Sequence, residues 1–378
     1  PNTTLFRSGF NLYTVPLALI VSYVSLSMFF INGIKFFATR ILRIYRTYGQ
    51  NIRHVIVVAD STSEDIIEDL INQKEWGFNV KYIISDSKEI KEKYEGMIPI
   101  LPDNRDIKHI IDHHVIDEVI YCKSENYDFE IKALMYVCDE VGVIFRLQSS
   151  VSPLNTVSVQ LQTINAHNNL SLVDVSSNKL SLIIKTMADL YFSITAIILL
   201  SPVLIAVALM IRLESRGSVF FKQERIGLRG RKFKLYKFRT MVINAEELLE
   251  RLKAQNEADG PVFKIKADPR ITRIGRFLRK TGLDELPQLI NIIKGEMSLI
   301  GPRPPIESEV KQYERWQLRR LSVKPGITCT WQISPNRNDV KFEKWMQLDL
   351  NYIDNWSLAK DAELFFRTIS TVFLASGR

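Results

Sequence analysis

The 378-residue chain is 46% hydrophobic, which allows about two domains with a buried core and excludes a disordered tail or a small disulfide scaffold. Its three scattered cysteines, Cys122, Cys138 and Cys329, make neither a disulfide framework nor a cysteine zinc site. The net charge of +8 is concentrated: between Arg212 and Met241 ten Lys or Arg stand against two Glu, an excess as large as that of the whole chain.

Residues Pro1–Gly9 read as a truncated or appended start. Gly9–Ile34 then runs 26 residues without a charge, enough for a transmembrane helix over 9–34. Lys35, Arg40, Arg43, Arg46 and Arg53 follow it and make 35–52 a basic juxtamembrane segment, which places that flank in the cytoplasm. The length of the run and the lack of a small-residue cleavage site argue against a removable signal peptide.

From 53 to 148, HVIVVA, VKYIIS, MIPIL, DEVIYC and VGVIFRL read as short buried strands with helical periodicity between them, the pattern of a doubly wound, Rossmann-like parallel-sheet domain. The first strand runs into ADSTSED rather than the glycine-rich turn that lets a pyrophosphate approach, so a regulatory or oligomerising module is expected in place of a nucleotide site. Residues 149–178, rich in Ser, Asn and Thr, read as a connector.

A second apolar run, Leu190–Ile211, carries Ser201-Pro202 near its middle. If it crossed the membrane, the basic stretch from Arg212 would lie opposite Arg40–Arg53, against the positive-inside rule. A helix that enters, breaks at Pro202 and returns, spanning 186–211, satisfies both facts, with Ser201 serving a carbonyl freed at the break. The alternative is an ordinary spanning helix with a tolerated proline. DPRITRIGRFLRK then places Arg270, Arg273, Arg276 and Arg279 at i+3 spacing, as on an amphipathic helix whose polar face meets water, phosphates or headgroups.

The segment TGLDELPQLINIIKGEMSLIGPRPP carries the most chemistry. Gly282 ends the preceding helix and Asp284 stands where the next begins, with Pro287 tolerable in its first turn. Asp284, Gln288 and Asn291 share a polar face at i, i+4 and i+7. A carboxylate at a helix N-terminus stays ionised; simple capping is the ordinary role of such a residue. Here Arg279 and Lys280 precede the Asp284-Glu285 pair, and Arg303 follows in a proline-stiffened loop suited to bidentate phosphate recognition. Carboxylates and arginines together suggest a phosphorylated substrate and Mg2+, which takes one or two carboxylates with phosphate oxygens.

Taken together, KQERIGLRGRKFKLYKFRTM, LDELPQLINIIKGEMSLIGPRP, KPGITCTWQ and LDLNYIDNWSLAKD resemble the monotopic polyprenyl-phosphate sugar-1-phosphate transferases of bacterial glycan assembly, from about Lys179 to the C-terminus. The span and α/β domain ahead of them resemble the appendage of the long members, which use UDP-glucose or UDP-galactose. The resemblance implies an α/β chain whose last part, 179–378, is a mainly α-helical monotopic catalytic domain with a re-entrant membrane helix. It implies transfer of a sugar-1-phosphate from a UDP-sugar to undecaprenyl phosphate with release of UMP, on the cytoplasmic face of the bacterial inner membrane. Asp284 would be the nucleophile and Glu285 its partner in catalysis or metal binding; Lys237, Arg279 and Arg303 would hold phosphates; Ser201-Pro202 would be the helix break. A homodimer is expected. Pro335 after Ser334 departs from the family's glycine there. Trp316, Trp331, Trp345 and Trp356 read as interfacial anchors, at least two of them as core residues.

A regulatory or scaffold protein, in which the α/β domain senses a nucleotide, is the competing reading; it expects Asp284→Asn to be silent. An oxidoreductase would want the absent glycine fingerprint. The apolar segments argue against a nucleic-acid partner, and no helix-turn-helix or RNA-binding motif is present.

Overall fold

The computed structural model describes residues 17–47, 52–72, 77–103, 107–124, 128–148, 160–164, 167–172, 179–245, 247–248, 265, 268–333 and 341–373. The chain packs as two units, 1–53 with 65–80 and 54–64 with 81–378.

In the first unit α1 (Leu17–Thr47) is one 31-residue helix. The expected basic segment is thus not separate: Lys35, Arg40, Arg43 and Arg46 ride on the same helix, because no Pro or Gly interrupts it after Gly33. Tyr23, Phe29, Phe30 and Phe37 are exposed along it. Residues 9–16 of the expected span lie outside the described residues. The helix α2 (Glu64–Asn72) buries Ile67 and Leu70, and in the second unit α3 (Lys88–Tyr94) buries Ile90 and Tyr94.

The five strands read from the sequence are β1 (Arg53–Val58), β2 (Phe78–Ile84), β3 (Ile100–Leu101), β4 (Glu118–Tyr121) and β5 (Ile144–Gln148), in the order β3-β2-β1-β4-β5. Parallel registers such as Val57↔Ile120 and Ile120↔Arg146 follow from β-branched runs buried on both faces. Strand residues Ile56, Val58, Val119, Tyr121, Phe145 and Leu147 form one core with α4 (Ile107–His113) and α5 (Asp128–Val141). The segment expected as a connector carries two further strands, β6 (Gln160–Ile164) and β7 (His167–Leu172), and β7 pairs antiparallel with β5. β6 pairs antiparallel with β7 and forms the edge of the sheet, and the Ser/Asn/Thr-rich composition concealed both strands.

The remaining half is mainly helical around two small sheets. Lys179–Glu214 forms α6, followed by the hairpin β8 (Phe220–Ile226) and β9 (Lys232–Phe238). Then come α7 (Arg273–Thr281), α8 (Leu289–Ile293) and the parallel pair β10 (Ser298–Ile300) and β11 (Gly326–Thr328). The chain continues into α9 (Phe342–Asp354) and α10 (Leu358–Phe373).

Along α6 one stripe, Asp189, Ser193, Ile197, Leu204, Val207 and Ile211, packs on the domain, while Leu180, Ile183, Met187, Tyr191, Ile198, Leu199, Ile205, Leu209 and Leu213 are exposed. The helix continues unbroken through Pro202, so the expected break there is not present. Pro202 has no N–H for the Ile198 carbonyl four residues back, and Ser201 Oγ donates to that oxygen at 2.8 Å. This local repair explains why proline does not end the helix.

Two sets of ion pairs join the α/β domain to the helical half. Arg231 Nη2 and Nη1 reach both carboxylate oxygens of Asp117 at 2.5 and 2.8 Å, and the His54 N–H donates to the same group at 2.7 Å. Arg315 grips Asp112 at 2.6 Å and Glu140 at 2.5 Å, and Leu318 packs on the sheet core. Burial would raise the Asp117 carboxyl, but hydrogen bonds from Arg231 and His54 and the Arg231 and Arg229 charges outweigh it and hold it below the ordinary carboxylate range.

Arg315→Ala is expected to cost about 2–3 kcal/mol by leaving two half-buried carboxylates without their cation, seen as a lower unfolding midpoint of the full chain in detergent. Because the Asp117 pKa is depressed on folding, its contribution is complete above about pH 4 and fades as the pH falls below that; the same midpoint, followed from pH 7 to 3, is expected to lose this component in Asp117→Asn.

Candidate active site

Gly282 ends α7 in a left-handed conformation, φ +70°, which glycine adopts without strain. The chain turns at once into a 3₁₀ helix, Leu283–Gln288, with Asp284 and Glu285 in its first turn; Pro287 lies inside the helix rather than in that first turn and has no N–H to give. Asp284 therefore lies inside the turn instead of capping it, and no side chain caps this start.

The structure brings the expected residues together in part. Asp284 is buried, 8% exposed. Glu285 beside it accepts a hydrogen bond from Lys237 Nζ on β9 at 2.6 Å. Arg279, in the last turn of α7, donates from Nε to Thr240 Oγ1 at 3.0 Å. Gln288 is buried, and so is Asn291, which is structural: its amide donates to the Lys234 carbonyl at 2.8 Å and to Glu296 at 2.6 Å, and accepts the Tyr236 N–H at 3.1 Å. The polar face expected at i, i+4 and i+7 thus points inward and fastens the turn to β9, while Ile290 and Ile293 are exposed.

The basic helix is also shorter than its i+3 pattern. It starts at Arg273, capped by the Thr272 hydroxyl on the Gly275 N–H, and Arg270 is buried against Asp268 at 2.6 Å. Gly275 is required because a Cβ there would lie 2.0 Å from the Thr240 carbonyl oxygen.

Sequence reasoning did not single out Arg225. Of the four buried arginines among the described residues, Arg146, Arg270 and Arg320 each hold a carboxylate, Glu118 at 2.7 Å, Asp268 at 2.6 Å and Asp349 at 2.8 Å. Arg225 has only neutral partners, Gln223 Oε1 and the Pro304 carbonyl. Burial and the neighbouring Arg303 push it down to about 10, still a cation at neutral pH, while Glu309 and Glu285 pull the other way. Arg225 and Arg303 are thus two adjacent guanidiniums without a carboxylate of their own among the described residues, near Glu285. Its place in a dense basic run was the only sequence signal, and burial distinguishes it from its solvated neighbours. Such a pair suits a polyanion.

Among the described residues no three metal-ligating side chains cluster. Asp284 and Glu285 offer two hard carboxylates and leave other positions to phosphate or water, which fits magnesium. Trp331 and Trp345 are buried and stacked at 4.3 Å, Trp356 donates to Asp361 and Trp316 to Glu314. Ser334 and Pro335 lie outside the described residues.

In the α/β domain the turn after β1 is occupied by Asp60. Its carboxylate accepts the Thr62 N–H at 3.0 Å, the Ser124 N–H at 2.6 Å and the Ser124 hydroxyl at 2.7 Å. Burial works against the charge, yet these bonds hold the carboxyl at about 2.

One domain thus holds a buried carboxylate, two guanidiniums with no carboxylate of their own among the described residues, and a long helix with an exposed apolar surface. Residues 180–375 match the bacterial sugar transferase family, and 15–147 match a family described as a CoA-binding domain. The chain is 30% identical to the galactosyl transferase CpsE of Streptococcus agalactiae over 99% of its length and 83% of that protein. It is 35% identical to the UDP-galactose-lipid carrier transferase of Erwinia amylovora over 85% of its length and 68% of that protein. With the UDP-glucose:undecaprenyl-phosphate glucose-1-phosphate transferase of Escherichia coli it shares 31% identity, over 87% of its length and 70% of that protein. The chain belongs to the bacterial sugar transferase family, as one of its long polyprenyl-phosphate sugar-1-phosphate transferases. The Asp60 turn does not fit coenzyme A, since an ionised carboxylate already takes the N–H groups that a diphosphate would use.

Asn291→Leu is expected to cost about 2–4 kcal/mol, since it strands the Tyr236 N–H and the Lys234 carbonyl in the interior; denaturant titration of the full chain in detergent measures it.

Proposed function

We propose that the chain transfers glucose-1-phosphate or galactose-1-phosphate from a UDP-sugar to undecaprenyl phosphate and releases UMP, the first membrane step of exopolysaccharide, capsule or O-antigen synthesis. The observation that carries this reading is the pair Arg225 and Arg303, with no carboxylate of their own among the described residues, near the lysine-held Glu285 that follows the buried Asp284 in the chain. A substrate diphosphate completes that charge balance.

In the first step an Asp284 carboxylate oxygen attacks the sugar-bearing phosphorus, the bond to the bridging oxygen breaks, and UMP leaves with the electron pair. A phosphate oxygen of the lipid then attacks the same phosphorus, the bond to Asp284 breaks, and the carboxylate is restored. Lys237, Arg225 and Arg303 offset charge on the phosphate oxygens, Arg279 flanks the turn, and Lys237 holds Glu285 beside Asp284. Magnesium, held by Asp284 and Glu285, would add charge withdrawal from the phosphoryl group.

The exposed apolar surface of α6 and the basic segments on either side of it support a helix that enters the inner membrane and keeps both ends, with the catalytic half, on the cytoplasmic face. Single cysteines placed near Arg46 and Arg216 are then expected to resist a membrane-impermeant maleimide added outside intact cells; labelling at Arg216 alone overturns the re-entrant topology.

The reaction is tested with a UDP-sugar panel, undecaprenyl phosphate and magnesium in lipid nanodiscs. Lipid-dependent UMP is expected, lowered at least about a thousandfold by Asp284→Ala. UDP as the product, or UMP indifferent to the substitution, overturns the mechanism; no product with any donor favours a scaffold. The same particles, weighed by mass photometry, are expected to hold two chains.

A further inference from the structure

The charges on α6 take no part in the reaction above. Lys185 and Asp189 stand one turn apart on a helix whose other faces are apolar, and both are turned inward, the Lys185 side chain 16% exposed and Asp189 9%. Charges that anchor a helix at a lipid interface reach outward to the headgroups. Here Lys185 Nζ donates to Asp361 Oδ2 at 2.6 Å and to the Ile300 carbonyl at 3.1 Å, and Asp189 Oδ1 accepts the Leu299 N–H at 3.1 Å. Asp361 is fixed independently, accepting the Tyr352 hydroxyl at 2.6 Å and the Trp356 ring N–H at 3.1 Å. Burial and the Asp361 charge push the Tyr352 phenol far up, so it stays a donor.

What this network grips is β10, which leads into the Arg303 loop. The Gly301 N–H donates to the Thr328 carbonyl at 3.0 Å and the Gly326 N–H to the Pro302 carbonyl at 2.9 Å. The backbones lie so close that a Cβ on Gly326 would stand 2.1 Å from the Gly301 nitrogen. At the far end Arg225 Nη1 donates to the Pro304 carbonyl and the Ile226 N–H to the Pro305 carbonyl, both at 2.9 Å. The loop is therefore held at each end by a cation on a backbone carbonyl, one from α6 and one from β8.

We propose that Lys185 and Asp189 are positioning residues: by fixing Leu299 and Ile300, the seated membrane helix sets the direction in which Arg303 meets the substrate phosphate. This rests on the phosphate-binding role of Arg303 in the proposed reaction. The active site is then complete only when α6 is docked, and the charges that burden an apolar helix are the link between the two.

The test uses the full chain in nanodiscs. Lys185→Met is expected to lower kcat/KM for the UDP-sugar about tenfold, mainly through KM, and by less than about twofold when Arg303 is already alanine. An equal loss in both backgrounds means a structural role only, and no loss in the first means none; either result overturns the proposal. Hydrogen exchange supplies a readout independent of turnover: amides of 298–304 are expected to exchange faster in Lys185→Met, with those of 283–293 unchanged. If wild type releases no UMP, the reaction fails, while unchanged exchange at 298–304 defeats the clamp by itself.

Discussion

Everything in the helical half depends on how α6 can be apolar on most of its circumference and still dock on a charged domain. The solution is one narrow stripe. Small and aliphatic residues, Ala196, Ile197, Leu204, Val207 and Ile211, pack on the two clusters that also hold β9, α7 and α8. At the N-terminal end of the same stripe, Lys185, Asp189 and Ser193 meet polar partners or the domain interior. Buried ions of this kind are costly unless paired, and the pairing geometry admits one register of the helix on the domain. The stripe thus does for orientation what hydrophobic burial alone would leave undetermined.

The same economy of charge marks the site. The other buried arginines among the described residues, Arg146, Arg270 and Arg320, each have a carboxylate within a hydrogen bond, so their cost is met inside the protein. Arg225 and Arg303 break that rule together, and Glu285 is held by Lys237 rather than by either of them. A pair of cations left to repel each other is unfavourable in the free enzyme, and an arriving polyanion relieves it. The α/β domain shows the converse: Asp60 fills its own phosphate-like position and is stabilised there by backbone and hydroxyl donors. The domain's visible contribution is mechanical, through the Asp117–Arg231 and Asp112–Arg315 pairs that brace it on the helical half.

Much of this was legible in the sequence for local reasons. Runs of β-branched residues gave the five parallel strands, an uncharged run gave α6, and the Gly-Leu-Asp-Glu-Leu-Pro pattern gave the turn that follows α7. Other readings failed where tertiary bonds decide. Spacing placed Asn291 on a functional polar face, yet it is a backbone clamp on β9; spacing also put Arg270 on a basic helix, yet it closes a turn with Asp268. Periodicity reports which residues share a face, and it is silent about whether that face meets water, lipid or protein.

The sequence alone therefore determined the family and the order of the main secondary-structure elements, because these follow from residue types at short spacing. Only the tertiary structure decided which charges are spent. Lys185, Asp189 and Arg270 are consumed by partners up to 176 positions away, whereas Arg225 and Arg303 have no carboxylate of their own among the described residues and lie near Glu285. A charge is available to a substrate only if the fold has not already paired it, and pairing at that range is a property of packing.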